Sequence, residues 1–494
     1  MSTNNQNVAV NVIDNSAISP KRAGTKFIVQ AVTELGIPNR PYEVNSEQEY
    51  LRILGQPLDR TGVELIRGLQ AGASFVVFPL GHFTDPTDET TIVGTLASGT
   101  ITNTETVPFA IPFKGKTVGS AYNGIVISFA LPRSNSTTTL DMVVSYKGNT
   151  QTKRDVPINI TADIVSEINN EFDLINIGAT AAGHSIVVGT CTLAGGAKDI
   201  TLIDDDDIIS GIDNFGDVLT EVFRIMNITK QNPTVDGAYI QYADNTNMSC
   251  HIFAPLNLSK SAVIAYRNSY DSNKARLVVG GLKVKHPYNS KLTLEILGAG
   301  DLAAAIIKKD TIGVHFAVAS DKYGIFGNGV IDVVTNFKGV DYEDLNNIHG
   351  INLITNTSGT IKYNGNNTML KDRTKALATE NVSDLLIVME RWAFKLGLKY
   401  KFEQNTQTAI WQPMYKEARL YFESLVANQA IYGGEGTAAG NWQWIGDQDA
   451  QTLADLAFNT PQDIASRKYS VMARFTPIAA MEFMTINLVV LSGN

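Results

Sequence analysis

The sequence predicts a mixed α/β (α+β) protein built from several parts: an α/β core, an inserted β-rich domain and extended strand arms at both ends. Three observations carry this. Strand and helix signals alternate over residues 25–85 and resume after Leu193. Between them, residues 86–188 are dominated by Thr, Ser, Gly and Asn, with β-type runs. Both termini alternate with period two, the pattern of a half-buried strand. At 494 residues the chain has room for roughly two to four domains.

The elements follow in order. Val8, Val10 and Val12 alternate with Asn7, Ala9 and Asn11, a strand signal at an end that frays unless something pairs with it. Pro20 and Gly24 separate this arm, residues 1–24, from a second strand, Lys26–Val32. Ser46 and Glu49 have capping-box spacing and open a helix to about Leu54. Thr61–Glu64 opens another, ending near Gly72, and Ser74–Leu80 is an apolar strand. Strand–helix–helix–strand makes 25–85 the first part of the α/β core. In 86–188 the β runs are Ile125–Leu131 and Asp141–Tyr146. A short helix is predicted at Ala162–Phe172, where Ile164, Ile168 and Phe172 fall four apart. The second part of the core, 189–371, has strands at Tyr239–Tyr242, His251–Ala254 and Leu277–Val279, with a helix before the last. Region 372–460 is helical. Ser383–Phe402 carries Leu385, Leu386, Val388, Met389, Trp392, Ala393 and Leu396 on one stripe, and Pro413–Ile431 is stopped by Gly433-Gly434. Residues 461–494 hold two strand runs, Tyr469–Phe475 and Met481–Leu491. In the latter Met484, Ile486, Leu488 and Val490 alternate with Thr485, Asn487 and Val489.

Composition narrows the function. Only 18% of residues are charged, against about 25% in ordinary globular chains. The net charge of −9 argues against a general nucleic-acid binder, which is usually basic. A hydrophobic share of 44% excludes a disordered chain. Cys191 and Cys250 lie in no CxxC pair, so neither a disulfide scaffold nor a structural zinc site is expected. No basic segment followed by an apolar stretch marks a signal peptide. Apolar runs are strand-sized, so no membrane insertion is expected. The Asn135 and Asn159 sequons are chance matches in an Asn- and Thr-rich chain.

Chemical motifs are weak. Ala110–Thr117 (AIPFKGKT) fits the phosphate-loop expression, with Lys116 and Thr117 in the contacting places. That chemistry needs a flexible loop opening a helix. Here Pro112 and Phe113 stiffen the segment, and Val118–Ala130 has the pattern of a turn and a strand. Gly434-Glu435-Gly436, with Gly440, follows a helix rather than a strand, so a dinucleotide fingerprint fails. Asp204–Asp207 lacks the alternating acids of a calcium loop and is expected to be a solvated turn. The six histidines are scattered and none sits beside a clustered carboxylate, so no metal, cofactor or catalytic residue is expected. A soluble α/β nucleotide-binding or hydrolytic enzyme is the alternative of a different class, motivated by the α/β units and AIPFKGKT.

Two features suit association. A strand edge offers unpaired N–H and C=O groups to another chain, although both terminal runs could equally pair within their own subunit. Arg391, Lys395 and Lys399 fall four apart and form one basic row on the Ser383 helix. That row is either a solvated face or a contact for an acidic partner.

A set of motifs then occurs in order over about residues 25–435. Gly36-Ile37-Pro38-Asn39-Arg40-Pro41, with Val44, Ser46, Glu49, Tyr50 and Leu54-Gly55, is followed by Gly119-Ser120-Ala121-Tyr122-Asn123-Gly124 and Leu193-Ala194-Gly195-Gly196-Ala197. Next come Gly350-Ile351-Asn352, Tyr363-Asn364-Gly365-Asn366-Asn367-Thr368, Glu380-Asn381-Val382, Arg391, Phe402-Glu403-Gln404-Asn405 and Trp411. In this order they resemble the motifs of contractile tail sheath proteins of bacteriophages and related contractile injection systems. Departures are the absent Pro-Gly-Val-Tyr start, Lys198 in place of an acid and Asn367 where Arg is common. The resemblance implies a non-enzymatic structural subunit that polymerises helically around an inner tube. Both arms (Val8, Val10, Val12; Met484, Ile486, Leu488, Val490) would add strands to neighbouring subunits. Contraction would be a switch between two packings, without nucleotide hydrolysis, driving the tube through a host envelope for genome delivery. The insertion at 86–188 would lie outside and the C-terminal region, with Arg391, Lys395 and Lys399, would face the tube. Partners would be copies of itself, the tube, baseplate and terminator proteins, in a virion tail assembled in the bacterial cytoplasm. Another virion component, of baseplate or capsid, is the nearest alternative. A subunit that buries much of its surface against its own copies also has less need of surface charge.

Overall fold

Phe27–Ala31 is buried from end to end, as a parallel strand covered on both faces must be. Its one polar residue is satisfied inside: Gln30 Nε2 donates to the Ile208 carbonyl (3.0 Å) and Oε1 accepts from the Tyr239 hydroxyl (2.7 Å). The computed structural model describes residues 26–85, 91–133, 136–146, 148–218, 222–319, 321–327 and 329–479. Among these, Phe27–Ala31 belongs to an eight-stranded sheet. The order is Thr360–Asn364, Asn352–Thr357, Ala275–Val279, Ser249–Phe253, Arg224–Met226, Phe27–Ala31, Phe75–Pro79, Tyr42–Val44. The six inner strands are parallel and each outer strand is antiparallel to its neighbour. Alternation assigns the two faces: Phe27, Val29, Val77 and Phe253 enter one apolar cluster, Ile28, Val76, Ile225 and Ile252 the other. The arm residues Val8, Val10, Val12, Met484, Ile486, Leu488 and Val490 lie outside the described residues.

On the first face the helices Arg60–Gln70 and Ala299–Asp310 touch backbone to backbone. A Cβ on Gly300 would lie 1.9 Å from the Glu64 carbonyl oxygen. Arg67 forks onto Asp301 through Nε (3.0 Å) and Nη2 (2.9 Å), both side chains being buried. Gly298 has no side chain with which to cap the second helix, and the Glu64 carboxylate does so instead. It accepts from the N–H of Leu297 (2.5 Å), Gly298 (3.1 Å) and Gly300 (3.2 Å). Burial pushes its carboxyl up to about 7 despite those donors. So Thr61–Glu64 is not the start signal of its own helix. Asp59 is the N-cap, the Thr61 hydroxyl accepts from the Val32 N–H (3.0 Å), and Glu64 serves the neighbour.

Tyr239–Tyr242 is helical, a correction to the predicted strand: it lies inside Pro233–Thr246. Buried Val235, Asp236, Tyr239, Ile240 and Ala243 recur at helical spacing. Asn232 caps the helix and Pro233 opens it, the preferred residues at those places.

Between Phe75–Pro79 and Arg224–Met226 the chain leaves this sheet and builds a separate core. Gly189–Thr192, Val126–Ala130, Thr139–Tyr146 and Asn149–Pro157 form one antiparallel sheet. Leu96–Thr102, Ala110–Val118 and Ile175–Ile177 form another, with the helix Ala162–Glu171 beside them. Strict alternation of burial along Thr139–Tyr146 is that of a sheet with one wet face.

After Thr379 come two helices, Glu380–Tyr400 and Gln412–Ala427. They share a core with Trp411, Trp442 and Trp444, and Trp392 stacks on Tyr421 at 4.0 Å. The second helix ends before Gly433-Gly434, because the chain turns at Gln429 with φ of 59°. The short strands Gln443–Ile445 and Met472–Arg474 pair antiparallel. No helix among the described residues is long and apolar enough to cross a membrane.

Candidate functional site

The Glu380–Tyr400 helix turns Leu385, Val388, Met389 and Leu396 inward and keeps the basic row on its outer side. Lys395 and Lys399 are exposed and Arg391 is half-buried. Lys399 is engaged: it pairs with Glu417 of the next helix, whose Oε1 also accepts from the Tyr400 hydroxyl (2.6 Å). Beside the row the helix exposes Phe394 and Leu398, which sequence reasoning missed, and Phe402 follows just past its end. Phe394, Leu398 and Phe402 are 68%, 50% and 95% exposed. They fall four apart and outside the Leu/Met/Trp stripe, which is the signal that could have found them. Phe402 also has a φ of +75°, a costly backbone for an aromatic residue, and Lys401 Nζ lies 5.1 Å from its ring centroid. Arg391, Phe394, Lys395 and Leu398 line a groove of about 630 Å³ with Asn245 and Asn247.

The chemical motifs resolve into structural roles. Ala110–Val118 is a strand paired on both sides, and Lys116 donates to the Asn169 carbonyl. It has neither the loop nor the helix that a phosphate requires. Asp204–Asp207 is no solvated turn. Asp204 caps the helix Asp205–Ile212, Asp207 completes the capping box, and Asp205 and Asp206 occupy the first turn, where acids suit the helix dipole. Contrary to the sequence expectation, one histidine does meet these acids: ligand atoms of His82, Asp204 and Asp207 lie within 4.8 Å of one another. Both Asp207 oxygens are already used. Asp207 Oδ2 lies 2.8 Å from His82 Nδ1 and accepts from Asp204 N–H (3.0 Å), while Oδ1 accepts from Phe83 N–H (3.0 Å). Burial pushes the Cys191 thiol up to about 11 and Cys250 well above its ordinary value, so neither is an activated nucleophile.

No family model and no curated protein sequence matches the chain. Solved structures do, and over nearly their whole length. A sheath tail protein from Listeria innocua superposes with a TM-score of 0.63 at 11% identity, covering 94% of this chain and 98% of that one. One from Desulfitobacterium hafniense gives 0.55 at 13%, covering 93% and 97%. The helical sheath of the anti-feeding prophage in its contracted state gives 0.55 at 14%, covering 95% and 96%. The fold is that of a contractile tail sheath protein.

Within the sheath fold the ordered motifs join one another. The Asn123 side chain donates to the Gly196 carbonyl (3.0 Å) and accepts from its N–H (2.8 Å), linking the Tyr122-Asn123-Gly124 and Gly195-Gly196 segments. Asn352 does the same with Asn367 (2.9 Å each way). Asn366 and Asn381 exchange amide bonds at 2.8 and 3.1 Å, and Trp411 Nε1 donates to Asn405 Oδ1 (2.8 Å). The departures are accommodated locally. Lys198 donates to the Leu80 carbonyl (2.7 Å), with burial lowering its ammonium to about 8. The side-chain oxygen of Asn367 receives the Arg373 guanidinium.

Proposed function

We propose that the chain is a structural, non-enzymatic subunit of a contractile tail sheath. It polymerises helically around an inner tube and contracts by repacking of subunits, driving the tube through a host envelope for genome delivery. The observation that carries this is two-way coverage: sheath proteins match this chain over more than nine-tenths of both partners. Some of those neighbours were solved within sheath and baseplate assemblies, which supports copies of itself and a baseplate as partners. Tube and terminator proteins complete the set, in a virion tail assembled in the bacterial cytoplasm. The motive force is collapse of a less stable extended lattice to a better-packed one. Electron microscopy of the purified protein tests the class: hollow striated cylinders are expected, and particles that stay monomeric at high concentration would sink it.

The arms, residues 1–24 and the end of 461–494, link neighbours by strand addition. At about 0.5–1.5 kcal/mol net per backbone hydrogen bond, a few bonds per arm become decisive across many subunits. Deleting residues 1–15 is expected to give soluble subunits that form no cylinders; cylinders of normal length would remove the arm from the mechanism. The β-rich insertion, 86–188, lies on the outside.

The basic row faces the tube. Its support is a local cationic surface on a chain of net charge −9, flanked by exposed apolar side chains that suit an interface core. Because Lys399 is paired with Glu417, Lys395 carries more of the contact. Arg391→Glu with Lys395→Glu and Lys399→Glu is expected to weaken cosedimentation with tubes at least tenfold while empty cylinders still form. Equal tube binding by the variant refutes the contact.

A further inference from the structure

The Glu380–Tyr400 helix meets the body through a buried charge cluster beside the neutral Asn366–Asn381 and Ser383–Asn273 hydrogen bonds. The apolar cluster at this junction is small, Phe223, Val314, Ile387 and Val388, and the C-terminal region keeps its own core. Asp384 lies between Arg224 Nη2 (2.8 Å) and Arg276 Nη2 (2.6 Å), with Lys309 Nζ 3.7 Å away. Arg224 also holds Asp310 through two bonds of 2.9 and 3.0 Å, and Lys309 reaches Asp310 at 2.7 Å. One turn before Asp384, Glu380 accepts from the Tyr363 hydroxyl (3.0 Å) and lies 3.2 Å from His251 Nε2. None of the charged side chains in this cluster, nor His251, is more than 4% exposed. Arg224, Arg276 and Lys309 match Asp310, Asp384 and Glu380 in number, so the cluster is balanced only while His251 is neutral.

A second imidazole sits at the same junction. The His315 carbonyl accepts from Asn381 Nδ2 (2.9 Å) at the start of the helix. Its ring packs against Phe316 at 4.3 Å, and neither ring nitrogen has a well-formed hydrogen bond. Buried charge without a partner is strongly disfavoured.

We propose that this junction is an acid-released lock: protonation of His251 and His315 puts unbalanced charge into it and frees the C-terminal region, residues 380–479, from the body as a unit. The groups facing His251 are Glu380 from the helix and Arg276 and Arg224 from the adjoining strands, with the Phe27 ring at 5.8 Å. Burial holds its imidazole below the ordinary value; Glu380 pulls upward, and the two arginines push down. For His315, burial is again the main lowering cause, the Asn428 backbone raises and Lys309 lowers. Asp384 stays ionised in acid: against the effect of burial, Arg224, Arg276 and Lys309 hold it far below the usual carboxylate range. The sign follows from linkage. The freed state binds these protons more tightly than the closed one. The closed junction is therefore fully stable above about pH 6.5 and weakens as pH falls below it, by up to tenfold per pH unit for each imidazole.

The lock is a property of the chain itself and does not depend on the assembly reading. Hydrogen exchange of the full chain at pH 7.5 and 5.5, corrected for intrinsic rates, tests it. The amides of Glu380 and Asn381, which donate to Asn366 of the body (2.8 and 3.1 Å), are expected to open at least tenfold more at pH 5.5, with Phe27–Ala31 and Phe75–Pro79 unchanged. His251→Gln with His315→Leu is expected to abolish the response. The proposal fails if the wild-type Glu380 and Asn381 amides are equally protected at both pH values, if the body strands open with them, or if the double variant still responds. Should that variant not fold, Asp384→Asn is expected to open the same amides at pH 7.5, and unchanged protection there overturns the lock.

Discussion

Arg67→Ala is expected to weaken the body by about 3–5 kcal/mol, the usual effect of removing one member of a buried ion pair. Asp301 is left with its carboxylate buried at the first turn of the Ala299–Asp310 helix and no cation to receive it. Burial already raises this carboxyl with Arg67 present, so without the guanidinium the charged form becomes harder still to hold. The pair is not irreplaceable. Arg67→Met with Asp301→Leu, which fills the same space with apolar atoms, is expected to fold with near wild-type stability. A chain with several cores need not unfold in one step. The readout is therefore the opening free energy of Arg60–Gln70 amides by native-state hydrogen exchange. A loss under 1 kcal/mol for the single variant, or an equal loss for the double, would show that the pair does not hold the helices.

Gly300→Ala is expected to cost about 2–4 kcal/mol, although helix propensity alone would favour it by about 1 kcal/mol. The added methyl falls 1.9 Å from the Glu64 carbonyl oxygen and 2.8 Å from the Gly68 nitrogen. Both contacts are backbone, so the two helices must separate. Separation stretches the Arg67–Asp301 fork and withdraws the Glu64 carboxylate from three N–H groups. Gly237→Ala is the control: it is helical, and nothing lies within 4 Å of its Cβ position. It is expected to stabilise by up to about 1 kcal/mol. Equal melting behaviour of the two variants would remove the close approach as the cause.

What the sequence revealed, and what it hid, divides by range of interaction. Phe27–Ala31 and Phe75–Pro79 were legible because continuous burial leaves an apolar run, and Glu380–Tyr400 because one buried stripe leaves a helical period. Tyr239–Tyr242 misled because four residues, Tyr-Ile-Gln-Tyr, cannot separate two periods. The deciding evidence was Asn232-Pro233 several residues upstream. Asp204–Asp207 misled because a run of acids looks solvated until a helix and the His82–Phe83 segment arrive to use it. Glu64 carried no local sign of its task, since the helix it caps begins more than two hundred residues later. The ordered motifs were legible as a resemblance, yet their reason was not. Asn123, Asn352, Asn366 and Asn381 are required in pairs that only the folded chain brings together. The basic row was visible as spacing, whereas the Lys399–Glu417 pairing and the exposed Phe394, Leu398 and Phe402 needed tertiary contacts to define.

The long excursion between Phe75–Pro79 and Arg224–Met226 sets a schedule for synthesis. Phe27–Ala31 finds one partner, Phe75–Pro79, early, but its other edge waits for a strand nearly two hundred residues downstream. At roughly 5–20 residues per second that edge stays open for about 10–40 s. Throughout that interval the nascent chain presents an apolar, unpaired strand, the kind that recruits wrong partners. The inserted β segment, with its own core, can be complete within the same interval and stand beside the unfinished sheet. A ribosome making many copies of this subunit is thus most exposed to misassembly in mid-chain, before Arg224–Met226 closes the edge.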